Sequence, residues 1–175
     1  LNHQLAPFRI LTGIEVDILE DGTLDHGDDM LSRLDLVIAS VHSKLRMAGK
    51  EMTERMVRAV ANPHVDVLGH CTGRMIGKRD PSSFDPDYVF AACAHFHTAV
   101  EINCRPERLD PPRDLLKMAI DYGCWFSIDS DAHSTGQLEW QPLGCNRAAE
   151  VGVPLDRVIN TFTADRLLAW TRGDD

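Results

Sequence analysis

Imidazoles and carboxylates recur along this sequence, each at the end of a short apolar run. Glu15 and Asp17 sit in the run 9–18, and His42 follows the run 36–41. His70 follows 65–69, Glu101 and Asn103 close 99–103, and Asp129, Asp131 and His133 follow 125–128. His and carboxylate donors are ligands of Zn, Mn or Fe ions. Asp129, Asp131 and His133 stand at i, i+2 and i+4, a spacing that aims all three at one face of an extended segment. Buried carboxylates repel one another unless they are protonated or share a cation. A metal centre that activates water is therefore the economical reading.

Other polar residues have plainer readings. Asp129 is the weakest of its trio, with an orienting role, and Asp17 has a bland reading as a solvated loop carboxylate. His95 and His97 fall on an expected helix, where i and i+2 diverge by about 200°, so they do not share a metal. His3, His26 and His64 lie in loops. Cys71 adjoins His70, yet it and the other four cysteines read most simply as small packed groups. Arg74, Lys78 and Arg79 form a basic loop, either solvated or placed to clamp phosphate beside the metals.

These residues need elements to position them. β-branched runs at 9–18, 36–41, 65–69, 99–103 and 125–128 read as strands, and segments of helical spacing lie between them. Helices are expected near 28–34, from Thr53 (as a capping residue) to about Ala61, from Asp85-Pro86 to about His97, over 113–122, near 145–151 and over 164–171. This alternation is α/β with a parallel sheet. It fits a doubly wound sheet or a βα-barrel. In a barrel the strand ends converge on one mouth, where every group named above would meet. Convergence favours the barrel.

Composition bounds the function. The chain has 175 residues, 43% apolar and 26% charged, the profile of one ordinary domain. With Lys plus Arg at 18 and Asp plus Glu at 27, the net charge is −9. This excludes binding of nucleic acid or acidic membrane by bulk charge, but not a local basic cleft. No apolar run approaches the roughly 20 residues that span a bilayer. Five cysteines without a CxxC pair make a disulfide framework unexpected and point to the cytoplasm.

The motifs Gly13-Ile14-Glu15-Val16-Asp17-Ile18, Ala39-Ser40-Val41-His42-Ser43, Leu68-Gly69-His70, Val100-Glu101-Ile102-Asn103 and Ser130-Asp131-Ala132-His133 resemble, in order, those of the polymerase and histidinol phosphatase (PHP) domain. The version attached to bacterial family X DNA polymerases, and related stand-alone proteins, is most similar, notably at Gly69-His70-Cys71-Thr72-Gly73-Arg74 and around Arg108-Leu109-Asp110. The resemblance implies a distorted TIM-like βα-barrel, seven-stranded in the family, with up to three divalent ions (Zn or Mn, or Fe). It implies that Glu15 bridges two ions, that His42 and His70 complete one of those sites, that Asp131 serves the other and that His133 serves the third. Arg74, Asn103 and Arg108 match positions assigned to substrate binding. The implied activity is hydrolysis of phosphate esters of nucleotides or DNA 3′ ends, as a 3′–5′ exonuclease or phosphatase.

Two departures matter. Cys71 stands where the subgroup usually has Pro. Residues 1–14 also lack the HxH strand and the two further histidines with which the family begins, since His3 stands alone. The chain is thus expected to be the C-terminal portion of a single PHP domain across 1–175, lacking its first two βα units; a first residue that is Leu rather than Met agrees. Expected partners are the phosphate-ester substrate, the missing N-terminal part, and a helix-hairpin-helix or polymerase domain in the parent protein, with no membrane. Two rivals remain. One is a non-catalytic or degenerate PHP fragment that keeps the scaffold for structure or partner binding. The other is an amidohydrolase, disfavoured because no Lys stands at a strand end to carry a bridging carbamate.

Overall fold

The computed structural model describes residues 1–174. The elements are α1 (Asn2–Leu5), β1 (Gly13–Asp17), α2 (Asp28–Leu31), β2 (Leu36–Ser40), α3 (Gly49–Val60), β3 (Val67–Leu68), α4 (Pro86–His95), β4 (Ala99–Asn103), α5 (Arg113–Asp121), β5 (Phe126–Asp129), α6 (Gln141–Val151) and α7 (Ala164–Trp170). Short 3₁₀ turns lie between β5 and α6 and between α6 and α7. The five strands form one parallel sheet in the order β1-β2-β3-β4-β5. Each strand therefore neighbours its successor, with none of the order reversal that marks a doubly wound sheet. Beyond β5, Val158 bridges in parallel to Phe126, and Asn160 exchanges hydrogen bonds with the Ile128 backbone.

The two faces of the sheet differ because side chains alternate along each strand. Val16, Val37, Ala39, Leu68, Val100, Ile102, Phe126 and Ile128 join the larger apolar core with the helices. α3 offers Met52, Met56, Ala59 and Val60 on one stripe. α6 lies close on the sheet because Gly144 faces it: a Cβ there would come within 2.4 Å of Cys104 Sγ and 2.7 Å of Ile128 Cγ2. On the opposite face, Val67 and Ala99 pack with Ile159 and Trp170, joined by Leu36, Ile38, Trp125, Phe162 and Leu167. The C-terminal segment thus covers this second face near the N-terminal ends of the strands. Toward their C-terminal ends the same face carries Glu15, Glu101, Asn103 and Asp129.

Several boundaries differ from the sequence expectations. β1 starts at Gly13, not near residue 9, and β3 is two residues long. α3 begins at Gly49, so Thr53 is no cap. It lies one turn inside, where its hydroxyl donates to the Gly49 carbonyl at 2.8 Å and accepts from the Asp85 N–H at 2.8 Å. Asp85 does cap α4, accepting from the Asp87 N–H at 3.1 Å ahead of Pro86. α4 stops at His95, and His97 takes a left-handed φ of 61°. α6 begins at Gln141, four residues before Cys145.

Candidate metal centre

β1, β2 and β3 are adjacent and parallel, so the loops that leave them emerge at one end of the sheet. Glu15 projects from β1, while His42 and His70 each stand two residues beyond the ends of β2 and β3. Gly69 lets the third strand approach the second: a Cβ there would fall 2.1 Å from Ser40 Oγ. Glu15 Oε1 lies 3.0 Å from His70 Nε2 and 3.4 Å from His42 Nε2. The imidazole rings meet edge to face at 5.1 Å. One donor atom from each of Glu15, His42 and His70 falls within 4.8 Å of the others, a span that a single ion can bridge.

The groups behind these donors fix them. His42 Nδ1 lies 2.5 Å from Asp17 Oδ1. Because a carboxylate only accepts, Nδ1 carries a proton, and Nε2 is turned toward Glu15. Asp17, with a bland reading from sequence, is in place an orienting group. His70 is 3% exposed and its Nδ1 has no partner, while its backbone N–H donates to Glu101 Oε2. The hydrogen bonds of Glu15 to His42, and then to His70, hold its carboxyl well below the usual range against the opposing effect of burial. The bond to Glu15 raises His42. A buried Arg55 on α3 donates to the carbonyls of Leu19, Ser43 and Ile18, tying the loop after β1 to the loop that carries His42.

A second group of carboxylates adjoins this triad. A cavity of about 270 Å³ is lined by Glu15, Glu101, Asp129, Asp131, Gln141 and Asn160, among others. Glu101 is 4% exposed; burial, and then the Asp129 charge, push its carboxyl up. Burial likewise raises Asp129, which accepts from Ser127 Oγ. The Asn103 amide bridges the two groups, donating to Glu101 Oε1 at 3.3 Å and to Asp131 Oδ2 at 3.2 Å. Arg108 Nε lies 3.2 Å from Asp131 Oδ2. Asp131 takes φ 52°, a left-handed backbone that Asp tolerates better than most residues.

The remaining expected residues take different places. His133 is 68% exposed; its Nδ1 lies 2.9 Å from the Asp131 carbonyl, and it stands outside the Glu15, His42 and His70 group. Arg74 Nε donates to the Arg108 carbonyl at 2.8 Å and Nη2 to the Leu109 carbonyl, so this guanidinium braces the loop after β4. Cys71 faces Asp110, with burial pushing its thiol up, which makes it a poor ligand. His95 meets Phe96 edge to face and His97 lies near Trp125. Sequence reasoning assigns no role to Arg55, and it brings Glu101 to the mouth with the other strand-end groups without giving it a specific one. The signal for each is a charge inside an apolar pattern: Arg55 on the Met52 to Val60 stripe of α3, Glu101 within Ala99-Val100-Glu101-Ile102.

Similar proteins carry phosphoester names. The DNA polymerase/3′-5′ exonuclease PolX of Bacillus subtilis is 36% identical over 175 residues, 100% of this chain and 31% of that protein. A probable phosphatase of Caldicellulosiruptor bescii is 26% identical over 159 residues, 86% of this chain and 64% of that protein. One from Thermoanaerobacter sp. (strain X514) is 28% identical over 171 residues, 92% and 67%. The chain thus spans less than a third of the first relative and about two thirds of the others. No family model matches the chain.

Proposed function

We propose that this chain is the C-terminal portion of a PHP-type phosphoesterase that hydrolyses phosphate esters of nucleotides or DNA 3′ ends. The observation that carries this reading is the convergence of Glu15, His42 and His70 at the C-terminal ends of three adjacent parallel strands. The names of the similar proteins support the same chemistry. The sequential strand order suits the wall of a βα-barrel, which upstream strands of the parent protein would close along β1. A helix-hairpin-helix or polymerase domain of that parent would supply long-range attraction to DNA, which a net charge of −9 does not.

The donor set fits Zn or Mn, and Fe as a third choice: two imidazoles and a carboxylate, with an unpartnered His70 Nδ1 behind. A divalent cation held there polarises a phosphoryl oxygen and lowers the pKa of water. Glu15 and His70 Nε2 would hold it, together with His42 Nε2, which Asp17 aims. Asp131, and His133 after a turn of its exposed ring, extend the donor set toward further ions. Arg108, ion-paired to Asp131 through Nε, keeps a buried Nη1 without a partner, the kind of donor that takes a phosphate oxygen. Asn103 holds Asp131 in place.

The test is His42→Ala in the intact protein, assayed with Mn²⁺ or Zn²⁺ on a 3′-labelled oligodeoxynucleotide and on a phosphomonoester. Loss of both activities is expected; full retention overturns the reading.

A further inference from the structure

The loop after β3 folds back as a hydrogen-bonded turn. Met75 N–H donates to the Arg79 carbonyl at 2.9 Å and Arg79 N–H to the Met75 carbonyl at 2.8 Å, with Gly77 at φ 75° between them. Arg79 Nε donates to the Gly73 carbonyl at 2.8 Å, which orients its guanidinium. The loop is also tied to its neighbour after β4, because Ile76 N–H donates to the Glu107 carbonyl. Lys78 and Arg79 are therefore held on a defined backbone. Across from them, in the loop after β2, stands Arg46. Together with Arg74 these residues line a concavity of about 510 Å³ whose one carboxylate is Asp80. Arg46 and Lys78 form no ion pair with any described residue, although the Lys78 charge acts on Glu107 beside the turn, whereas Lys44, Arg105 and Arg108 are each paired.

An acidic chain seldom gathers unneutralised cations in one hollow without an anionic partner, since mutual repulsion and idle charge both count against it. The hollow opens on the same end of the sheet as His42 and His70. His70 begins the turn that leads into it, with the Gly73 N–H donating to the His70 carbonyl at 2.7 Å. Ile76, exposed at the turn, adds apolar surface beside the charges. Several cations spread along a groove suit the repeating phosphates of a single polynucleotide strand better than one isolated phosphate.

We infer that the hollow of Arg46, Lys78 and Arg79 binds the backbone phosphates of a single DNA strand, upstream of a 3′ end delivered to Glu15, His42 and His70. This rests on the hydrolase reading for where the end lies, but not for the binding itself. The surface would make a polynucleotide a better ligand than a mononucleotide and would read no sequence.

Binding tests it, without turnover. Fluorescence anisotropy of a labelled oligothymidylate is measured over a range of salt, with a chelator present, for the wild type and the triple variant Arg46→Ala, Lys78→Ala, Arg79→Ala. The expected result is affinity at least about tenfold lower in the variant, and a salt slope shallower by about 0.7 for each contact removed. Arg46→Lys with Lys78→Arg should restore binding, and Lys117→Ala on α5 should not weaken it; far-UV circular dichroism confirms that each variant is folded. The inference is overturned if wild type and triple variant share one salt slope. It is overturned equally if a thymidine mononucleotide competes as well as the oligomer at equal phosphate concentration. Charge-dependent binding alongside a hydrolytically dead intact protein would sink the phosphoesterase reading and leave this one standing.

Discussion

His42 is held between two carboxylates with different work. Glu15 faces Nε2 and would share an ion with it, while Asp17 faces Nδ1 and fixes the proton there. Removing the second partner leaves every donor present but lets the ring turn and lowers its basicity. Asp17→Ala is accordingly expected to weaken Mn²⁺ or Zn²⁺ binding by roughly 10–100-fold, read by isothermal titration calorimetry, whereas Glu15→Gln should abolish it. An Asp17→Ala protein that binds metal as the wild type does would show that Asp17 has no orienting role. This difference marks what a sequence discloses at this scale. Glu15, His42 and His70 are legible because each lies within a strand or just beyond its end, places defined by local pattern. The duty of Asp17 is not, because it depends on an imidazole 25 positions away that only the β1–β2 pairing brings near. The same holds for Arg55, whose three carbonyl partners lie in two separate loops.

Elements hold these residues through contacts that are themselves testable. Gly144 sets the seat of α6, and α6 holds Gln141, whose amide donates to the Ile128 carbonyl at 2.7 Å beside the acidic cavity. Gly144→Ala must push the helix off Cys104 and Ile128, so a loss of about 1–3 kcal/mol is expected by urea denaturation; an unchanged midpoint would show that the helix can shift freely. At the other end of the sheet, Asp66 opens β3 and accepts from the Val37 N–H at 2.7 Å. Burial raises its carboxyl to about 7. An acid raised in this way stays protonated in the folded chain after it has ionised in the unfolded one. Its share of stability is therefore present below about pH 4 and declines as pH rises to about 7. The full loss is on the order of 4 kcal/mol. Asp66→Asn keeps an acceptor for Val37 and has no proton to lose, so it should be more stable than the wild type at pH 8 and lack this slope in denaturant titrations at pH 4 to 8. Parallel slopes in the two proteins would count against it. The strand and helix order is legible from alternation alone, but helix starts are not. Thr53 looks like a cap until its hydroxyl is seen bonding back to Gly49 and across to Asp85, a tertiary contact that no local pattern contains.

The molecule as a whole is a sheet with one unshared edge. β1 pairs with β2 and has no strand on its other side among the described residues, while β5 is flanked by the Val158 bridge. Beside that edge the N-terminal segment exposes Phe8 and Ile10, at 67% and 44%. No helix among the described residues is long and apolar enough to cross a membrane. An unpaired backbone edge next to exposed apolar side chains is a template for another strand. On the barrel reading proposed above, further strands would fill it. For the 175-residue chain alone, the available partner is a second copy. Its mass by size-exclusion chromatography with light scattering is expected to rise above that of one chain as concentration increases. Phe8→Lys with Ile10→Lys should lower that tendency, because like charges at the edge repel a second copy. The Glu15, His42 and His70 cluster lies on strands whose mutual pairing this edge does not supply, so the double variant should keep its far-UV circular dichroism and its metal affinity. A wild-type chain that stays at the mass of one copy at every concentration would mean that this edge is already protected by its own N-terminal segment, and the expectation of strand addition along β1 would fall with it.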